Sequence, residues 1–223
     1  MKLRTTLLSI PAEGAWLDAR LSHAPGVPGL VVILVPGTDP ATQPVDQKVA
    51  AALQRAGVAT LMLDLLTADE ERRDADARYN VPQMANRLLA ATEWIEHQPP
   101  LRALPIGLLG SGTASAAAVR AAWKYPGRYA SIVCRGGRPD LAGAEPLRTL
   151  ATPIRVVFGS NDPDCHIAAQ AYSLITAERD WQRVAEAGPL LAEGNALSTF
   201  NRLAAAWFAE TLQRPATAPV DAE

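Results

Sequence analysis

Hydrophobic positions follow two rhythms along the chain, and each predicts its own kind of element. Near-continuous apolar runs at residues 30–35 and 58–63 read as strands buried on both faces. Shorter runs at 106–109, 129–134 and 154–158 read as further strands, with one more short strand at 181–185. Residues 15–22 instead alternate Trp16, Asp18 and Arg20 with Leu17, Ala19 and Leu21, the pattern of a half-exposed antiparallel strand. Residues 3–10 are β-like, with Pro11 and Gly14 making the turn between the two. Helical spacing appears at 46–56 (ending at Gly57), 81–97 (stopped by Pro99-Pro100), 167–176, and 195–212 with Phe200, Leu203, Trp207 and Phe208. A loop is expected from Pro36 to Pro44, and a charged, solvated, partly helical stretch at 67–80. Two strands followed by alternating strands and helices predict an α/β fold. The expectation is a single doubly wound, mostly parallel sheet, antiparallel at its N-terminal strands, with helices on both faces. Residues 1–213 are expected to form one domain, and 214–223, with two prolines and no apolar pattern, a disordered tail.

Composition narrows the function classes. The 223 residues are 48% apolar and 20% charged, with a net charge of −2. That is an ordinary globular balance, with no basic surface for nucleic acid and no run long enough to span a membrane. After Met1-Lys2-Leu3-Arg4 no uninterrupted signal-peptide core follows. Cys134 and Cys165 form neither a disulfide framework nor a metal-ligand spacing. The expectation is a cytoplasmic monomer or homodimer with reduced thiols, no metal and no cofactor.

The most informative stretch is 104–123, a strand, a tight turn through Gly110-Ser111-Gly112-Thr113-Ala114, and an alanine-rich helix. In α/β sheets such turns lie at the carboxyl edge, where ligands bind. One reading is a dinucleotide turn, Gly110-x-Gly112-x-x-Ser115, two-thirds of the full fingerprint. Its position argues against it: four strands precede it, and the following strand ends Val133-Cys134-Arg135, with no acid to hold a ribose. The other reading is a nucleophile elbow, Gly-x-Ser-x-Gly, with glycine where the serine belongs.

The chain resembles the α/β-hydrolase fold, and within it the dienelactone hydrolase-like branch, over about residues 3–213. The resemblance is carried by residues 59–67 (ATLMLDLLT), 87–92 (RLLAAT) and 135–143 (RGGRPDLAG), together with the elbow at 104–118 and the segment 156–163. It implies an ester-bond hydrolase built on a nucleophile, a histidine and an acid. It places Gly112 in the nucleophile's position, Pro189 in the histidine's, and Asp162 in the acid's. Taken alone, a carboxylate in a loop after a strand such as Asp162 reads first as a turn or cap residue. The oxyanion loop, usually opened by His-Gly in this family, reads Pro36-Gly37, leaving the Thr38 N–H to point into the site.

A glycine offers no nucleophile and a proline no base. The expected function is therefore a non-catalytic or repurposed binder of a small ligand, anions among the candidates. Its pocket is expected to be electropositive and formed by Gly37, Thr38, Ser111, Gly112, Thr113, Arg135 and Pro189. Arg135 and Arg138 either face the ligand or anchor their own loop. Two alternatives stand beside this: an active ester or lactone hydrolase using Ser111 or Ser115, and a dimeric interaction module. His23 and His97 read as solvent-facing or capping residues, and the neighbours Cys165 and His166 point apart.

Overall fold

The computed structural model describes residues 3–37 and 41–214. The strands are β1 (Arg4–Ala12), β2 (Ala15–His23), β3 (Leu30–Val35), β4 (Ala59–Asp64), β5 (Ile106–Ser111), β6 (Ser131–Arg135), β7 (Ile154–Gly159) and β8 (Arg179–Val184). The helices are α1 (Gln43–Arg55), α2 (Ala68–Arg73), α3 (Val81–Glu96), α4 (Ala114–Lys124), α5 (Ala144–Arg148), α6 (Cys165–Leu174) and α7 (Ala196–Thr211). All eight strands join one sheet in the order β1-β2-β4-β3-β5-β6-β7-β8. The β1–β2 and β2–β4 pairs are antiparallel and the other five are parallel, as the hydrophobic rhythm predicts.

Alternation along the parallel strands feeds two cores. Val32, Leu34, Leu108, Ile132, Val156 and Phe158 pack on one face with residues of α3, α4 and α6. Val31, Ile33, Leu109, Val133 and Val157 pack on the other with residues of α1 and α7. Strand order reverses at β3, so β3 and β5 are neighbours whose following segments leave toward opposite faces. The crevice beyond their carboxyl ends is where such sheets bind ligands.

Several boundaries differ from expectation. The first helix begins at Gln43, three residues early, because Pro44 sits in its first turn, where no N–H is needed. β1 runs through Pro11, which an edge strand tolerates. Within the charged stretch, Thr67 and Glu70 form a capping box that starts α2, and a 3₁₀ turn follows at Ala77–Tyr79. Of the expected tail, Arg214 bonds Glu178 and Glu210, and the remainder lies outside the described residues.

Candidate functional site

The turn between β5 and α4 sits at the switch point. Gly112 there has φ of +55°, a left-handed conformation that L-residues adopt only under strain. A Cβ built on Gly112 has only the Pro36 ring nearby, at 3.9 Å, so the position opens onto free space. The turn is held from both sides. The α4 backbone comes so close that a Cβ on Gly110 would lie 2.8 Å from the Ala114 carbonyl oxygen. After β6, Gly137 lies against Gly112, and the Arg138 N–H donates to the Gly112 carbonyl at 3.0 Å.

Asp162 follows β7. Its Oδ1 accepts the Asp164 N–H at 2.9 Å, and the Cys165 N–H bonds the Asp162 carbonyl at 3.2 Å, so it serves the turn entering α6. Its Oδ2 is buried without a partner. Burial pushes the Asp162 carboxyl above the ordinary carboxylate range, and the Asp164 N–H partly offsets this. The loop after β8 is pinned to the β7 end by the Asn161 N–H on the Ala187 carbonyl at 2.9 Å. That contact brings Pro189 beside Asp162. The Pro189 carbonyl oxygen and Asp162 Oδ2 lie 2.9 and 3.1 Å from the point where Gly136 would carry a Cβ.

These elements enclose a cavity of about 270 Å³ whose lining includes Gly37, Ser111, Gly112, Thr113, Arg135, Asp162 and Pro189. Thr38 lies outside the described residues. Glu71, Arg78, Tyr79 and Asp164 also line the cavity. Glu71, Arg78 and Tyr79 were missed because 67–80 reads as a charged, solvated stretch, although the capping-box pattern from Thr67 to Glu70 is visible in the sequence. None of the three histidines lies on the cavity; His97 and His166 are exposed and bond the backbone carbonyls of Glu93 and Pro163. Among the described residues no cluster of His, Cys, Asp or Glu could hold a metal ion.

The expectation of an electropositive pocket needs correction. Arg135 is fully buried and reaches Asp46 of α1 at 2.5 Å, with the Phe200 ring 5.9 Å from its guanidinium carbon. It thus anchors α1 to the sheet rather than its own loop. Arg138 pairs with Asp140 at 2.8 Å. Beside these paired cations and Arg78 the lining carries the carboxylates of Glu71, Asp162 and Asp164, so the charge is mixed. Ser115 is fully buried, and its hydroxyl donates to the Gly110 carbonyl at 3.1 Å. Cys134 is likewise fully buried, and burial pushes its thiol up to about 12, which leaves it inert at neutral pH. Both cysteines are unpaired, and no helix among the described residues is long and apolar enough to cross a membrane.

Sheet order, crevice and strand–turn–helix define an α/β-hydrolase fold. The chain aligns with the crystal structure of a dienelactone hydrolase from Anabaena variabilis at 30% identity and TM-score 0.88, covering 95% of this chain and 100% of that one. It belongs to the dienelactone hydrolase family. Est1E from Butyrivibrio proteoclasticus matches at TM-score 0.78 and 12% identity over 93% of this chain and 99% of that one, a likeness of fold alone. In sequence, two Mycobacterium tuberculosis proteins named "Putative phosphoribosyl transferase" are 35% identical over 167 residues, 75% of this chain. The match spans only 38% of their length. No family model matches the chain.

Proposed function

We propose that this chain is a dienelactone hydrolase-like protein with a degenerate triad that binds a small ligand carrying an anionic group and does not hydrolyse esters. The observation that carries the reading is Gly112, which keeps a positive φ and an open Cβ direction at the turn but has no side chain to attack a substrate. Pro189 supports it, because a proline beside Asp162 can neither accept nor pass a proton. Two of the three triad functions are then absent, and loss of either alone costs several orders of magnitude in rate. The ligand's carboxylate or phosphate lies at the Gly112–Thr113 end of α4, where backbone N–H groups and the helix dipole favour negative charge. The name of the longer M. tuberculosis relatives is in keeping with a phosphate-bearing ligand.

The test is hydrolysis of p-nitrophenyl acetate by the purified chain. Release no faster than with an inert protein at the same concentration is expected. The competing reading is a displaced serine. Ser111 lines the cavity and is the residue to examine, whereas Ser115 is sealed in the core with its proton committed to the Gly110 carbonyl. Clear turnover that disappears in Ser111→Ala would overturn the non-catalytic reading.

A further inference from the structure

The two edges of the sheet are built differently. Edge strands that stay unpaired are normally kept so by charge, shortness, bulges or a covering element. At one edge, β8 carries Arg179, Asp180 and Arg183 within six residues. At the other, β1 is nine residues long and has no charge from Thr5 to Ala12. Its register with β2 runs unbroken from Arg4↔His23 to Ala12↔Ala15, without a bulge. The hairpin turn fixes which groups this edge offers. Glu13 and Gly14, at φ of 46° and 77°, make a two-residue turn with Ala12 opposite Ala15. That is the type I′ geometry, whose flanking residues bond each other. Bonded and unbonded pairs alternate from there, so Ile10, Leu8, Thr6 and Arg4 bond β2. Thr5, Leu7, Ser9 and Pro11 turn their backbone groups outward. All four are exposed, and no backbone group among the described residues bonds them from outside. Pro11 falls in the outward set, where its missing N–H costs no bond to β2.

We propose that the outer edge of β1 pairs with β1 of a second copy of this chain, antiparallel about a two-fold axis at Leu7, joining two sheets into one. In that register Leu7 exchanges both backbone bonds with Leu7 of the other copy, and Thr5 does so with Ser9. The Leu7 side chains, 74% exposed in one chain, then meet across the axis. A two-fold contact needs a self-complementary patch, and the ends of this strand supply it. Antiparallel pairing carries Arg4 of each copy toward Glu13 of the other. Neither residue has an ion pair with any other described residue. The joined hairpins still meet the rest of each sheet over only four β2–β4 register pairs, so they remain its most easily opened part. The proposal stands apart from the ligand-binding reading and does not depend on it.

The experiment is sedimentation equilibrium of the full chain at about 1 to 200 μM, a span that brackets the affinity of a modest interface. A monomer–dimer equilibrium is expected. Leu7→Lys sets two ammonium groups across the axis and should raise the dissociation constant at least tenfold. Ser9→Pro removes an outward N–H without costing a bond to β2 and should do the same. A cysteine pair reads the register directly, in a Cys165→Ser background, and holds even if one of these variants folds poorly. Leu7→Cys should form a disulfide between copies on mild oxidation, because bonded antiparallel partners have Cα atoms about 5.5 Å apart. Trp16→Cys, at a position 66% exposed but on β2, should not. Random collision would join both equally. The mass of one chain throughout the series would overturn the proposal. So would a dimer that both Leu7→Lys and Ser9→Pro leave intact, equal cross-linking of the two cysteines, or a dimer in which Leu7→Cys fails to cross-link.

Discussion

A serine side chain at position 112 would meet little but the Pro36 ring, 3.9 Å from its Cβ, so Gly112→Ser has room to fold. The positive φ should cost about 1–2 kcal/mol. The variant alone is expected to release no p-nitrophenol above background, because a hydroxyl at neutral pH needs a base. Gly112→Ser with Pro189→His should recover partial turnover, seen as a burst of p-nitrophenol, since Asp162 Oδ2 is free to orient the ring. Asp64 supplies a different test. Burial, with the charges of Asp18, Asp46 and Glu71, raises its carboxyl from 3.8 to about 6 against the opposing pull of Arg20. The protonated form is therefore favoured in the fold: its contribution is complete below 3.8 and lost as pH rises through about 6. Asp64→Asn should raise Tm at pH 7 by a few degrees, on the order of what 1 kcal/mol gives in a chain this size, and change little at pH 4. Gly112 and Asp162 could be picked out in the sequence because each falls on a stretch resembling the family, and Pro189 because it lies after the last strand, where the family carries its histidine. The Arg135–Asp46 pair could not, because its members are 89 positions apart and meet only once α1 lies on the sheet.

The short helix α2 owes its place to one residue that works twice. Glu70 accepts the Thr67 N–H at 2.9 Å, closing the capping box, and also takes the guanidinium of buried Arg87 from α3. That guanidinium holds the Glu70 carboxyl down near 2. With the folded value below the ordinary 4.5, the stabilisation is complete above 4.5 and lost as pH falls toward 2. Glu70→Gln should cost about 1–3 kcal/mol at neutral pH, and denaturant unfolding should show the difference closing at the acid end. Since Glu71 beside it lines the cavity, the same substitution should loosen that rim. Elements were legible where burial alone sets the pattern, as in β3, whose bounds match the run of six apolar residues. They were less legible where a terminus depends on local chemistry: Pro44 read as loop although it suits a first helical turn.

At the scale of the molecule the sheet is unequal from edge to edge. β3, β5, β6 and β7 are covered on both faces, whereas β1 pairs only with β2, and β2 meets β4 over just four register pairs. On the outer face of this hairpin Leu7 and Trp16 are 74% and 66% exposed. Amides of β1 and β2 should therefore exchange with solvent well before those of β3 or β5, in a hydrogen-exchange series on the native protein. The division of the core between two helical layers bears on how the protein is made. Val31 and Ile33 are covered by α1, which follows them directly, but Val133 and Val157 lie on the part of this face that α7 covers, and α7 comes after all eight strands have been made. A growing chain on the ribosome must carry that apolar surface bare until α7 is made, and it is during this interval, more than in the finished fold, that a chaperone has something to hold.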